Sequence, residues 1–148
     1  MNIHLNLISG RIGRDQEAIN DNYAILNYIM TTYYTSDQHF GHENIVHKLG
    51  EGRPFKDLAH MNAELMRRWW DTVKPSDTVY VLGDLALGVF PESINHFKSL
   101  PGKKYMIIGN HDKLFPLTNS KTRIDKYTPA YENAGFTIIH ELTIEHTI

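Results

Sequence analysis

Three short polar clusters hold most of the side chains that could do chemistry in this chain of 148 residues. They are Asp37-Gln38-His39, Gly83-Asp84 and Gly109-Asn110-His111-Asp112. Each offers groups that bind cations or move protons: carboxylates, imidazoles and an amide oxygen. In the first cluster an aspartate and a histidine lie two residues apart. In extended backbone such a pair faces the same way, so both could reach one ion. Gly83-Asp84 alone reads equally well as a tight turn with a solvated carboxylate. Gly109-Asn110 alone reads as a hairpin turn, since both residues tolerate positive φ. The segment that follows, Lys113-Leu114-Phe115-Pro116, makes a poor returning strand, and a turn needs neither a histidine nor an aspartate. There is no cysteine, which excludes disulfides and thiolate sites and is compatible with a reducing compartment. A metal here must use imidazole, carboxylate, amide or water ligands, which suit Mn, Fe, Ni, Zn or Mg.

The elements around these clusters can bring them together. Residues 31–35 are β-prone and run into Ser36-Asp37. Residues 42–49 suit a short helix. Asp57 is a good helix N-cap, and Leu58, Met61, Leu65, Trp69 and Val73 follow at helical spacing. Trp69 and Trp70 are adjacent, so only one can face a core, and the spacing selects Trp69. Residues 78–82 form a compact β-prone run that breaks at Gly83-Asp84. Pro91 suits the first turn of a helix running to Leu100. Residues 104–108 form another strand, broken at Gly109-Asn110. Residues 112–128 read as polar and irregular, residues 129–133 as a helix stopped by Gly135, and residues 136–139 and 142–144 as strands. Strands alternating with helices indicate an α/β layered fold. Ligands in such sheets bind beyond the carboxyl ends of the strands, where all three clusters fall.

Residues 1–29 stand apart as an N-terminal extension, either a docking helix or a disordered leader. From Asp15 they show a weak helical pattern through Ile19, Tyr23, Leu26 and Met30. The remaining residues, 30–148, form one domain. Net charge is −2 and aromatic content 11%, with the cationic residues scattered. This argues against an extended nucleic-acid footprint, but a small phosphate ester or nucleotide fits if a metal supplies positive charge. No apolar run approaches a membrane span, and the start lacks the apolar stretch of a secretory signal, so the cytoplasm is the expected location. Most of the nine histidines read as surface residues, and His47, His60 and His96, in expected helices, as surface or packing residues.

The three clusters, in this order and each after a strand, resemble the calcineurin-like metallophosphoesterase family. The likeness extends to Thr35-Ser36-Asp37-Gln38-His39-Phe40-Gly41-His42-Glu43-Asn44-Ile45, Arg53-Pro54-Phe55, Met61-Asn62, the run from Asp77 to Asp84, and Leu100-Pro101-Gly102-Lys103-Lys104. These look like the family's small bacterial and phage members, over residues 31–148. The resemblance implies an α/β four-layer sandwich of two mixed β-sheets flanked by helices. It also implies hydrolysis of phosphate mono- or diesters by a hydroxide activated between two divalent ions. Asp37 and His39 would hold the first ion, Asp84 would bridge both, and Asn110 would hold the second and lie beside substrate. His111 would serve as general acid, hydrogen-bonded to Asp112, and His42 would face the substrate phosphate. The family completes its site with a later histidine and a Gly-His-x-His motif, which has no counterpart after Asp112. Only His140 and His146 lie downstream, in expected strands. The domain is therefore expected to lack its last part. The alternative is a non-catalytic remnant or interaction protein that keeps the first part of the fold.

Overall fold

The computed structural model describes residues 30–47, 53–88, 90 and 92–143. The N-terminal extension, Pro91, the end of the strand expected over 142–144, and His146 lie outside them. Along the chain come β1 (Thr32–Thr35), α1 (Glu43–His47), α2 (Leu58–Thr72), β2 (Thr78–Leu82), α3 (Glu92–Asn95) with a 3-10 turn (His96–Ser99), β3 (Lys103–Ile107), α4 (Lys121–Asn133) and β4 (Phe136–Ile138). The strands form one sheet in sequence order β1-β2-β3-β4, every pair parallel. Among the described residues there is this one parallel sheet, where the resemblance implied two mixed ones. No helix of the described residues is long and apolar enough to cross a membrane.

Parallel neighbours need crossover connections, and these take one hand almost without exception. Consecutive strand order with a constant hand stacks every crossover on the same face of the sheet. The burial pattern agrees. Val79, Val81, Met106 and Phe136 point to one face and are buried with Ile94, Phe97 and Tyr131, while Leu65, Met66 and Trp69 of α2 pack against them. Phe97 is the hub of this core. Its ring meets Phe40 at 4.6 Å, Phe136 at 5.4 Å and Trp69 at 5.9 Å, all near edge-to-face. Asp57 caps α2 by accepting the His60 N–H at 2.7 Å. Trp69 donates its indole N–H to Pro101 O, whereas Trp70 is 53% exposed, as the helical spacing selects.

Alternate residues of the strands form the other face. Tyr34, Tyr80 and Tyr105 share one row of the register, stacked at 5.5 and 5.2 Å with nearly parallel rings. Leu82 lies on the same face and is exposed. Among the described residues no helix covers it.

The structure corrects two expectations. Residues 112–128 are not irregular throughout: α4 begins at Lys121, with the Ser120 side chain accepting the Arg123 N–H. Pro129 lies inside this helix rather than at its start and forfeits one intrahelical bond. Thr128 donates its hydroxyl to Ile124 O just before it. Leu142 and Thr143 carry no strand pairing.

The aromatic hub makes a test of this packing. Phe97→Ala should lower stability by about 3–5 kcal/mol in urea unfolding, the usual cost of emptying a fully buried aromatic site. Trp70→Ala should change it by no more than about 0.5 kcal/mol.

Candidate functional site

The sheet continues as paired backbone past its strand ends. Asp37 N–H donates to Gly83 O at 3.1 Å, His39 N–H to Asp84 O at 3.0 Å, and Phe40 N–H to Leu85 O at 3.0 Å. This pairing lays the Asp37-Gln38-His39 loop alongside Asp84. The third cluster joins from β3. His111 N–H donates to Asp84 Oδ1 at 3.0 Å. Gly109 lies so close that an added Cβ would meet Asp84 Oδ1 at 2.2 Å and the Asp84 nitrogen at 2.5 Å. Only a residue without a side chain permits that approach.

Asp37, His39 and Asp84 thereby form a group whose candidate ligand atoms all lie within 4.8 Å of one another. His39 Nε2 is 3.6 Å from Asp37 Oδ1 and 3.9 Å from Asp84 Oδ2. Their backbones set them apart as well. Among the described residues, the non-glycine residues at positive φ are these same three: Asp37 at 57°, His39 at 54° and Asp84 at 56°. Left-handed backbone costs an L-residue on the order of 1–2 kcal/mol and tends to collect where function requires it. The extended backbone invoked for the Asp-x-His pair is therefore not what aligns the two side chains. Two left-handed residues flanking Gln38 do so.

Arg53 supports this turn from outside the three clusters. Its guanidinium donates to Gln38 O at 2.7 Å and also to Asp37 O. Its own backbone N–H is held by Ile45 O. The sequence shows Arg53 only as part of a motif. The following Pro54, which restricts Arg53 to extended backbone, is the one local clue that its direction is fixed. Gln38, between the two candidate ligands, is buried. Its side-chain Nε2 donates to Thr35 Oγ1 at 2.6 Å, while its side-chain Oε1 has no partner among the described residues.

The electrostatics suit cation ligation. The Ser36 side-chain hydrogen bond, followed by the nearby His39 and Arg53 acting against partial desolvation, holds the Asp37 carboxyl below the usual carboxylate range. Burial first, then the Arg53 charge, pushes the His39 imidazole below its ordinary value. Burial also lowers His42, followed by His111 and Arg53. Neutral imidazoles beside ionised carboxylates are the protonation states in which both can donate lone pairs.

The other expected residues divide. The His42 ring lies 5.3 Å from that of His39, with the two Nδ1 atoms 3.3 Å apart. The His111 ring lies 5.6 Å from His39. Asn110 is exposed on the same turn as His111. Asp112 departs from expectation. It is 2% exposed, and its carboxylate turns inward to accept three backbone N–H groups. These come from Gly109 at 2.8 Å, Asp84 at 2.9 Å and Leu85 at 3.1 Å. Burial pushes its carboxyl upward from the usual range, against these three donors. The expected hydrogen bond to the His111 ring gives way to this backbone role, because a buried N–H left unpaired is costly. His140 lines a cavity of about 790 Å³ with Ile107, Leu114, Phe115 and Ile138, and is not one of the three grouped residues.

No family model matches the chain. It is 34% identical over 118 residues to an uncharacterized protein of Methanocaldococcus jannaschii, a match covering 78% of this chain and 61% of that one. It is 31% identical over 98 residues to the gene 66 protein of Mycobacterium phage L5, covering 63% of this chain and 45% of that one. The chain therefore spans less than two thirds of the relatives it matches. Among solved structures it is similar to a protein of unknown function from Aquifex aeolicus, with a TM-score of 0.55 and 30% identity over 78% of this chain and 54% of that one.

If Asp112 ties the loops together, Asp112→Ala should lower stability by at least about 3 kcal/mol in urea unfolding, since three buried N–H groups lose their acceptor. A residue serving only as an acid's partner would leave the unfolding curve unchanged.

Proposed function

We propose that this chain carries the metal-binding and catalytic groups of a metal-dependent phosphoesterase. The observation that carries the reading is the convergence of Asp37, His39 and Asp84 ligand atoms within 4.8 Å. The left-handed backbone at the same three residues supports it. Two carboxylates and an imidazole, with no thiolate, form a donor set suited to Mn, Fe, Ni, Zn or Mg. The finer fold we propose is a calcineurin-like sandwich; the polar clusters beyond the strand ends support it, while its second sheet does not occur among the described residues.

In this reading Asp37, His39 and Asp84 would hold one ion, and Asp84 and Asn110 would hold a second. Asp84 Oδ1 accepts the His111 N–H, and His39 Nε2 lies 3.9 Å from Asp84 Oδ2. Divalent ions, when bound, would supply Lewis acidity that activates water and offsets charge on the phosphoryl group. His111, exposed and bonded through its backbone N–H to Asp84, is the group we assign to give a proton to the leaving oxygen. His42, whose ring lies 5.3 Å from that of His39, suits the substrate phosphate. The substrate class is a small phosphate ester or nucleotide.

A second reading, a non-catalytic protein that keeps this part of the fold, draws support from the donor count. One ion would have the three protein ligands of a catalytic site, but the other would have only two, Asp84 and Asn110. Manganese titration together with hydrolysis of a bis-nitrophenyl phosphodiester separates the two readings. Metal binding with turnover favours the enzyme, weak binding without turnover favours the second reading, and no metal binding at all sinks the site.

Asp84→Asn should lose more bound metal than Asp37→Asn, because one carboxylate serves both ions. Metal content after dialysis measures this, and full occupancy in Asp84→Asn would remove the bridge. His111→Ala should keep its metal but hydrolyse alkyl esters about 10²–10⁴-fold more slowly. Nitrophenyl esters, whose leaving oxygen needs little protonation, should lose far less.

A further inference from the structure

We infer that His42 is a positioning residue that fixes the tautomer and ring orientation of His39. The inference rests on the proposed metal site. His39 presents Nε2 to Asp37 and Asp84, at 3.6 and 3.9 Å. Its other nitrogen, Nδ1, lies 3.3 Å from Nδ1 of His42. Two ring nitrogens at that distance share one proton: one donates and the other accepts.

The chemistry at Nε2 decides which. A cation between His39 and the two carboxylates needs the lone pair of Nε2, so the His39 proton must sit on Nδ1. His39 Nδ1–H then donates to His42 Nδ1, and His42 carries its own proton on Nε2, the nitrogen turned away from His39. A ligating histidine commonly hands its second N–H to a carboxylate or a carbonyl; here an imidazole takes that place. The backbone holds the pair together, since His42 N–H donates to His39 O at 3.1 Å in a single turn. Gly41, between them, has φ 79° and lies too close to Leu87 O and Ser93 Oγ to carry a side chain. One consequence is that His42 offers a neutral N–H, rather than a lone pair, to a phosphoryl oxygen.

The test separates orientation from bulk. In asparagine, Oδ1 occupies the place of histidine Nδ1, so His42→Asn keeps the acceptor and His42→Ala does not. By calorimetric titration with Mn, His42→Ala should raise Kd about 10–100-fold, and His42→Asn should stay within about threefold of the parent. Thermal melts of both variants show whether they are folded. Long-range ¹H–¹⁵N spectra of the metal-free protein should show His39 protonated on Nδ1 and His42 on Nε2. The inference is overturned if His42→Ala binds Mn like the parent, if His42→Asn loses as much as His42→Ala, or if His42 carries its proton on Nδ1. Should the parent bind no Mn, the metal site fails and this role with it, while the spectra still report the pairing. A parent that binds Mn with the opposite tautomers sinks this inference alone.

Discussion

The Asp112 carboxylate, almost fully buried, receives the backbone N–H groups of Asp84, Leu85 and Gly109. That arrangement ties the end of β2 to the end of β3 in the absence of any strand pairing there. Everything at the candidate site leans on it. It sets the height of Asp84, which His111 N–H then steadies. Asp84 and Leu85 in turn accept the backbone of His39 and Phe40, so the β1 loop takes its position from the same anchor. A carboxylate accepting several backbone N–H groups forms charge-assisted bonds, stronger than neutral ones. Such an anchor suits loops that must adopt uncommon backbone.

The uncommon backbone is the second half of this design. Three residues that would prefer right-handed or extended conformations are held left-handed, and all three carry candidate ligands. The pairing of the loops, the Arg53 bonds to the Asp37 and Gln38 carbonyls and the close approach of Gly109 together over-determine them. Strain of this kind persists only where the surroundings leave no cheaper choice.

Much of this could be read from residue types. The three polar clusters after strands, the Asp57 cap and the inward Trp69 follow from local propensity and period, and the structure bears them out. What stayed hidden has physical causes. The left-handed turn around Gln38 leaves no local signature, because neither Asp37 nor His39 is a glycine. The inward direction of Asp112 depends on the N–H groups of Asp84 and Leu85, more than twenty residues distant, as well as on that of nearby Gly109. The residue pattern marks only the end of helix α4, because its first turns are largely polar and its proline falls inside rather than at the start. Arg53 reaches the site through packing that no spacing encodes. The second sheet implied by resemblance does not occur among the described residues.

The row of Tyr34, Tyr80 and Tyr105 acts as a vernier on the sheet. Parallel strands can slip past one another, and a slip of one residue turns every side chain to the opposite face. In this register the three phenols fall in line and stack. A slip of two residues would set Tyr34 beside Thr78 or Leu82 and lose the stack. The same strands carry the loops that hold Asp37, Asp84 and Asn110, so a mispaired sheet would also scatter the candidate site residues. A row of rings on the face away from the core thus favours the register that brings the candidate site residues together at the strand ends.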